Sequence, residues 1–314
     1  MNEFELIHKY FSNWSGVGTE PTLGIGDDAA LLEMEPDTQM VVAADTLVEG
    51  RHFPENADPG LVASRALRVN LSDMAAMGAE PLHYTLCLTL PSSDIDWLSL
   101  FAARLREESE RFCCSLIGGD TTRGQLCMSL QMLGKVKSGE ALQRSGAKAD
   151  DDIWVTGNLG DAAAYTSLNF SDDWSSSSFA QKFWSPEPRL EFAQDISHLA
   201  SACLDISDGL LADLGHICKA SGVGAEISLS DIPQSPELQD QFPDQSLQLA
   251  ISGGDDYELC FTAPPESNTQ LLKIADEQGL NLTKIGNIIQ GSGVTCLDDT
   301  GSAIKMSQAG YSHF

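Results

Sequence analysis

The amino-acid sequence predicts a mixed α/β protein of two domains. Its 314 residues are about twice the length of an average domain. Strand-like and helical segments alternate along the chain, but without the strict repeat of βαβ units. A polar, glycine-containing stretch at residues 137–151 separates two such series. We therefore expect an N-terminal domain over residues 1–137 and a C-terminal domain over residues 150–314.

The elements of the first domain follow from alternation, helical spacing and capping residues. Residues 39–48 alternate loosely, which predicts a strand that ends at Asp45. Asp58 and Pro59 are typical of a helix start, and Gly78 is typical of its end. The remaining predicted elements are a strand at 83–90, a helix at 95–112, a short strand at 116–117 and a strand at 126–134.

The second domain begins with a predicted strand at residues 152–156. Residues 171–178 are rich in serine and aspartate and are expected to form a solvated loop. The remaining predicted elements are a helix near 188–198, a helix from Asp208 or Gly209 to about Ala220, a strand at 256–262, a helix at 265–278, and strands at 281–289 and 293–298.

Composition excludes several classes of function. The chain has 46 acidic and 18 basic residues, a formal net charge of −28, which argues against binding to nucleic acids and to anionic membrane surfaces. No apolar run is long enough to span a membrane, and the N-terminus does not resemble a signal peptide. The eight cysteines form no Cys-x-x-Cys pair, which favours a reducing cytoplasm. We expect Cys87, Cys127, Cys203 and Cys260 to be buried in strands.

Six short segments place an aspartate beside glycine or at the end of an apolar run: residues 24–28, 43–46, 70–73, 117–121, 204–209 and 252–256. At ~4 Å and an effective dielectric constant of ~20, each pair of converging carboxylates costs about 4 kcal/mol, so such a cluster requires cations. Oxygen ligands favour Mg²⁺, Mn²⁺ or Ca²⁺. The neighbouring glycines allow a polyanion to approach backbone N–H groups. The pattern therefore indicates nucleotide phosphate chemistry.

Each segment alone also has a structural explanation. Aspartate next to glycine suits a turn, and Ser207 or Asp208 could cap the helix that follows. The alternative for this segment is a nucleotide phosphate bound by the free N–H groups of that helix. Asp73 lies on a helix of small and apolar residues, where a cation ligand and an exposed position are both open. Arg144 is available as a phosphate clamp.

Taken in this order, the segments resemble the thiamine-monophosphate kinase family, which belongs to the superfamily of aminoimidazole-ribonucleotide synthetase and selenophosphate synthetase. The resemblance covers nearly the whole chain. It is carried by residues 24–29 (GIGDDA), 45–48 (DTLV) with Gly50, His52 and Phe53, 69–79 (VNLSDMAAMGA), 117–122 (IGGDTT), 144–147 (RSGA), 205–210 (DISDGL), 253–259 (GGDDYEL) and 310–314 (GYSHF).

The resemblance implies ATP-dependent phosphorylation of thiamine monophosphate to thiamine diphosphate by a cytoplasmic enzyme. It implies a two-domain aminoimidazole-ribonucleotide-synthetase-like fold and a homodimer formed through the sheet of the N-terminal domain. The implied ligands of several Mg²⁺ ions are Asp28, Asp45, Asp73, Asp120, Asp205 and Asp208, with Ala43 and Ala44 contributing only backbone carbonyls. The implied contacts of ATP are Gly119, Asp120, Arg144 and Ser207, and those of thiamine monophosphate are His52, Asp255 and Tyr311. Many relatives carry glutamate in place of Asp255.

The acceptor in this reaction is a phosphate, which is nucleophilic when ionised, so no general base is expected. Phosphoryl transfer then requires mainly positioning and charge neutralisation, and with few basic residues nearby the metal ions must supply positive charge. Two alternatives remain. A selenophosphate synthetase would need a reactive cysteine or selenocysteine near the N-terminus, and no cysteine precedes Cys87. A non-enzymatic acidic protein would bind divalent cations without requiring ATP.

Overall fold

The computed structural model describes residues 3–11, 17–18, 20–25, 29–171 and 176–304. Asp28, Tyr311 and residues 172–175 of the predicted loop at 171–178 lie outside the described residues. The chain forms two compact units, one of residues 1–74 and 79–139 and the other of residues 75–78 and 140–314. No helix in the described ranges is long and apolar enough to cross a membrane.

The first unit is built on a four-stranded sheet. Its elements are α1 (Glu3–Tyr10), β1 (Thr38–Val48), α2 (Pro59–Ala76), β2 (Glu80–Leu90), α3 (Ile95–Arg111), β3 (Ser115–Arg123) and β4 (Cys127–Lys137). The strand order is β1-β4-β2-β3, with β1/β4 and β2/β4 antiparallel and β2/β3 parallel. As the sequence predicts, Asp58 caps α2, because its Oδ1 accepts hydrogen bonds from the N–H groups of Gly60 and Leu61.

One side of this sheet is packed against α2 and α3. Leu86, Leu88 and Leu130 point to this side and are buried. The hydroxyl of Tyr84 forms a hydrogen bond of 2.7 Å with that of Ser109 on α3. The alternation of side chains across the strands therefore sends the intervening residues to the opposite side.

We call that opposite side the open face. It is formed by Met40, Val42, Ala44 and Thr46 of β1, Ser129, Gln131 and Leu133 of β4, Thr85 and Cys87 of β2, and Gly118 and Asp120 of β3. Met40 is 41% exposed and Val42 is 51% exposed. The expectation that Cys87 is buried was wrong, because this thiol lies on the open face and is exposed.

Two strands of the first unit extend beyond the sequence prediction. Strand β1 continues through Asp45 to Val48, because β4 pairs with it as far as Val48 opposite Cys127. Strand β3 covers residues Ser115–Arg123 rather than two residues, because β2 pairs with it along its length. Asp45 and Asp120 therefore lie within strands and not at strand ends.

The second unit is built on a seven-stranded sheet of order β11-β10-β7-β9-β5-β8-β6, antiparallel except for β10/β7. Its elements are β5 (Asp152–Thr156), α4 (Asp161–Ser167), α5 (Ser178–Trp184), α6 (Leu190–Ile196), β6 (Ala202–Asp205), α7 (Leu210–Ser221), β7 (Gly224–Ser228), α8 (Pro236–Gln241), α9 (Ser246–Ser252), β8 (Leu259–Ala263), α10 (Asn268–Glu277), β9 (Leu282–Ile289), β10 (Gly293–Leu297) and β11 (Ala303–Ile304). Both sides of the sheet are buried, because Ile153 and Val155 belong to one hydrophobic core and Trp154, between them, belongs to another.

The second unit also departs from the sequence prediction. Strand β8 begins at Leu259 and not at Asp256, because Asp255 and Tyr257 have positive φ angles of 70° and 50° that a strand does not accommodate. Helix α7 begins at Leu210. The elements α4, α5, β7, α8 and α9 were not predicted.

Candidate functional site

Two loops of the second unit are joined into one structure. The first, residues 205–209, follows β6, and the second, residues 253–258, precedes β8. Ile206 N–H donates to the carbonyl of Glu258 at 2.7 Å, and Tyr257 N–H donates to the carbonyl of Ile206 at 2.8 Å. Asp255 N–H donates to the carbonyl of Ser207 at 2.9 Å. The structure thus brings together two sequence segments that are separated by more than forty residues.

A buried carboxylate on helix α7 accepts hydrogen bonds from the backbone of the first loop. Asp213 lies on α7 and is 3% exposed. Its Oδ2 accepts three consecutive backbone N–H groups, from Ser207 at 3.0 Å, Asp208 at 3.0 Å and Gly209 at 3.1 Å. Burial, with a further contribution from the charge of Asp205, raises the pKa of Asp213 to about 7.

Sequence reasoning missed Asp213, although the sequence contains a signal. Leu210, Leu214 and Ile217 form the buried face of α7, and Asp213 follows Leu210 by three residues, so it lies on the same face. A carboxylate on an apolar helix face needs hydrogen-bond donors. In this structure the preceding loop supplies them.

This arrangement corrects one expectation about the 205–209 segment and limits a second to the N–H groups of the helix itself. Neither Ser207 nor Asp208 caps α7, whose N-cap is Gly209 without a side-chain hydrogen bond. The N–H groups of Ser207, Asp208 and Gly209 are also not free for a phosphate, because Asp213 accepts all three. Among the described residues, none forms a hydrogen bond or ion pair with the side chains of Ser207 or Asp208. These two half-buried side chains are the polar groups that the loop offers to a ligand.

Asp255 lies in the second loop in a left-handed conformation, with φ at 70°. Aspartate tolerates this conformation better than most residues do. Its Oδ1 accepts a hydrogen bond of 3.1 Å from the hydroxyl of Tyr257, which also has a positive φ. The fixed backbone therefore orients the carboxylate for which the family resemblance implies a contact with thiamine monophosphate.

A buried ion cluster lies at the end of the second loop. The Glu258 carboxylate is 2% exposed and accepts hydrogen bonds from Arg189 at 2.7 and 2.6 Å, from Lys182 at 3.1 Å and from Thr156 at 2.7 Å. Burial alone would raise the pKa of Glu258, but the charges of Arg189 and Lys182 and their hydrogen bonds outweigh burial and lower it. Burial raises the pKa of Asp256, two residues earlier, well above the usual value, because it outweighs the hydrogen bond from the Gly160 N–H and the charge of Lys182.

Arg144 lies in an exposed turn that precedes β5. Its backbone carbonyl accepts a hydrogen bond of 3.4 Å from the Ser221 hydroxyl, which in turn accepts the N–H groups of Gly146 and Ala147 at 3.1 Å. The backbone carbonyl of the neighbouring Gln143 accepts a hydrogen bond from the N–H of Cys203 on β6. Among the described residues, none forms an ion pair with the guanidinium of Arg144. The turn thus holds its backbone while the side chain remains available for an anion.

In the first unit, Asp45 is tied to α2 through Asn70. The Asp45 N–H donates to Oδ1 of Asn70 at 3.1 Å, and Nδ2 of Asn70 donates to the Ala66 carbonyl at 2.8 Å. Asn70 is fully buried. Partial desolvation raises the pKa of the Asp45 carboxyl, although the residue as a whole is exposed. Asp73 lies three residues after Asn70 on the same helix and is half-buried.

The other predicted residues of the first sheet lie on both of its sides. Strand register places Ala43 and Asp45 on the packed side, in rows with the buried Met132 and Leu130. Ala44 and Asp120 lie on the open face, and Gly119 precedes Asp120 in the same edge strand. Because β1 and β3 are the two edges of a four-stranded sheet, Asp45 and Asp120 are separated by its full width.

His52 lies in the turn after β1. Its Nδ1 accepts the backbone N–H of Val48 at 3.0 Å, and its own carbonyl accepts a hydrogen bond from Arg65 at 3.2 Å. Because Nδ1 accepts, the neutral ring carries its proton on Nε2.

Across the described residues, no three side chains of histidine, cysteine, aspartate or glutamate lie close enough together to hold a metal ion. Asp28 and Tyr311 lie outside the described residues. The residues that the family resemblance assigns to Mg²⁺ thus lie in four described places: the packed side of the first sheet, its open face, helix α2 with Asp73, and the 205–209 loop.

Comparison with protein families matches the chain to two consecutive domains. Residues 26–136 match the N-terminal domain of the AIR synthase related proteins, and residues 148–299 match the C-terminal domain of the same proteins.

Proteins and solved structures that are similar to this chain over nearly its whole length include thiamine-monophosphate kinases. The thiamine-monophosphate kinase of Salmonella typhimurium is 43% identical over 320 residues, which cover 99% of this chain and 98% of that protein. The crystal structure of the thiamine-monophosphate kinase from Stenotrophomonas maltophilia K279a has a TM-score of 0.85 at 41% identity, covering 90% of this chain and 92% of the other. A structure of AaThiL complexed with AMPPCP and TMP has a TM-score of 0.78 at 29% identity, covering 92% of each chain.

Proposed function

The chain belongs to the thiamine-monophosphate kinase family, and we propose that it transfers the γ-phosphoryl group of ATP directly to thiamine monophosphate, giving ADP and thiamine diphosphate. The observation that carries this proposal is the similarity to enzymes of that name over 99% of the chain. Direct transfer requires donor and acceptor to be bound together, as AMPPCP and TMP are in the AaThiL complex.

ATP and a phosphate monoester together bring about six negative charges into one site, so the reaction depends on charge neutralisation. The donor set of the predicted metal residues consists of oxygens, which fits Mg²⁺. In the 205–209 loop the fit is supported by Asp208, whose carboxylate has no partner among the described residues, and by the buried Asp205. We propose that these residues, with Asp28, Asp45, Asp73 and Asp120 and the carbonyls of Ala43 and Ala44, hold several Mg²⁺ ions. When bound, the ions would supply the positive charge that the acidic chain lacks.

The side chains of this chain bind and orient the two substrates. The exposed guanidinium of Arg144 pairs with a phosphate of ATP, and the Ser207 hydroxyl donates to another. Gly119 and Asp120 complete the ATP contacts. His52, Asp255 and Tyr311 contact thiamine monophosphate. No residue abstracts a proton, since the acceptor phosphate is already ionised.

We further propose that the protein is a cytoplasmic homodimer formed through the open face. Exposed apolar side chains such as Val42 are typical of an interface when they share one sheet face. The cytoplasmic location is supported by the eight cysteines, all of which are free. Light scattering should give twice the chain mass of 33.7 kDa.

The dimer is tested by a charge on the open face. Val42→Asp should give a monomer, because it would bury an unpaired carboxylate in the interface. Ile95→Asp on α3 is the matched control, since Ile95 is 50% exposed and Val42 is 51% exposed. A wild type that has the mass of one chain, or a Val42→Asp variant that stays dimeric, would contradict the proposed interface.

The activity is tested by incubation with Mg-ATP and thiamine monophosphate, followed by ³¹P NMR. We expect thiamine diphosphate and ADP to appear in equal amounts. The alternative, an acidic cation-binding protein, predicts no product and a Mg²⁺ affinity that does not change when ATP is added. The absence of thiamine diphosphate under these conditions would refute the proposed function.

A further inference from the structure

The 205–209 loop has an unusual backbone that its own sequence does not stabilise. Gly209 has φ at 113° and ψ at 146°, a combination that side chains disfavour. A Cβ atom there would also lie 2.8 Å from the carbonyl oxygen of Gly253. The three consecutive N–H groups of Ser207, Asp208 and Gly209 converge on one point, where they would be unpaired without an acceptor.

Asp213 supplies that acceptor from the fourth residue of α7. One oxygen, Oδ2, accepts all three N–H groups at 3.0 to 3.1 Å. In the second loop, the N–H groups of Tyr257 and Asp255 donate hydrogen bonds to the carbonyls of Ile206 and Ser207. With the backbone polar groups of the loop occupied in this way, the side chains of Ser207 and Asp208 have no described partner within the protein.

We propose that Asp213 is a positioning residue, which fixes the 205–209 loop so that Ser207 and Asp208 face ATP and its metal ion in the reactive arrangement. The proposal rests on the proposed function and adds to it a residue that touches neither substrate. Asp213 acts through the backbone, whereas Ser207 and Asp208 act through their side chains. Its loss should therefore affect the use of ATP far more than the use of thiamine monophosphate.

The test uses the whole protein with Asp213→Asn and Asp213→Ala. Asparagine keeps an acceptor oxygen without the charge, and alanine removes the acceptor. Asp161→Asn is the matched control, because Asp161 is also 3% exposed and accepts one short hydrogen bond, of 2.6 Å from the Ser235 hydroxyl. Unfolding in urea measures the structural cost of each change, and steady-state kinetics measure the functional cost.

We expect kcat/KM for ATP to fall by about 10²-fold in Asp213→Ala, since small displacements of reacting groups have effects of this size. Asp213→Asn should recover part of the loss. The KM for thiamine monophosphate should stay within about threefold of the wild-type value, because Asp255 is the one proposed contact of that substrate that is hydrogen-bonded to the 205–209 loop. A loss of kcat/KM for ATP no larger than that of Asp161→Asn would overturn the proposal.

Hydrogen exchange provides a second readout that does not depend on activity. A peptide covering residues 204–210 should exchange faster in Asp213→Ala than in the wild type, and at the wild-type rate in Asp161→Asn. Unchanged exchange at residues 207–209 would also overturn the positioning role. An inactive wild-type protein would instead refute the proposed function, so the two failures are distinguishable.

Discussion

Replacement of Glu258 by glutamine should destabilise the second unit strongly. Glutamine preserves the shape of the side chain but removes the charge that pairs with Arg189 at 2.6 Å and with Lys182 at 3.1 Å. One carboxylate oxygen becomes an NH₂ group that faces hydrogen-bond donors. The largely buried guanidinium of Arg189 then loses its ion-pair partner and keeps only the smaller influence of the Glu187 charge, and this situation is far more costly than the loss of an exposed ion pair.

The size of the effect follows from burial. Removing one partner of a buried ion pair costs about 3–5 kcal/mol. Lys182 contributes less to this figure than Arg189, because its side chain is 32% exposed whereas that of Arg189 is 17% exposed. We therefore expect Glu258→Gln to lower the free energy of unfolding by about 3 kcal/mol, a large share of the roughly 5–15 kcal/mol typical of a folded protein.

Urea unfolding followed by circular dichroism measures this change. Glu277→Gln is the control, because Glu277 pairs with Lys273 at 3.6 Å on the exposed side of α10. That change should cost about 0.5 kcal/mol or less. A Glu258→Gln variant that unfolds within about 1 kcal/mol of the wild type would refute the reasoning on the cluster.

The effect should depend on pH in one direction. The pKa of Glu258 is lower in the folded protein than its ordinary value of 4.5, so the ionised form stabilises the fold at pH values above 4.5. This contribution is lost as the pH falls through the lower, folded-state pKa. The difference in unfolding free energy between wild type and Glu258→Gln should thus be largest near neutral pH and shrink in acid. A difference that grows below pH 4.5 would contradict the assignment.

Two further predictions concern β3. Gly119→Ala should lower the melting temperature far more than Gly139→Ala, because a Cβ at Gly119 would lie 1.9 Å from the carbonyl oxygen of Leu86, whereas one at Gly139 would meet nothing within 4 Å; equal melting temperatures would contradict the pairing of β2 with β3. Asp120→Asn should fold normally but lose at least ~10²-fold in rate, by analogy with the loss of one preorganised electrostatic contact. Its thermal stability without Mg²⁺ should stay level or rise, and a wild-type rate at limiting Mg²⁺ would contradict the metal assignment.

Local sequence signals were sufficient where local contacts decide the structure. Helix α2 was predicted from Asp58, Pro59 and Gly78, and all three act within a few residues of the helix ends. Strand β3 was underpredicted because Gly118-Gly119 is typical of a turn. Pairing with β2, which lies about thirty residues earlier, makes the same residues part of a strand.

In the candidate site, too, the sequence predicted features that depend on nearby residues and missed those that depend on contacts between segments. The aspartate segments identified Ser207 and Asp208 as candidates, and in the structure their side chains form no hydrogen bond or ion pair with the described residues. The sequence did not indicate that Asp213 would occupy the N–H groups of this loop, because that contact depends on the unusual backbone at Gly209. It also did not indicate the left-handed conformations of Asp255 and Tyr257, which arise where the second loop pairs with the first.

The central claim, direct phosphoryl transfer from ATP to thiamine monophosphate, is tested most directly by initial-rate kinetics with both substrates varied, combined with labelling by γ-³²P-ATP alone. The account predicts intersecting double-reciprocal lines, since both substrates must be bound before transfer. It also predicts no label on the protein when thiamine monophosphate is absent, because no nucleophilic residue is required. Parallel lines, together with a stoichiometric phosphoenzyme that passes its label to thiamine monophosphate, would contradict it.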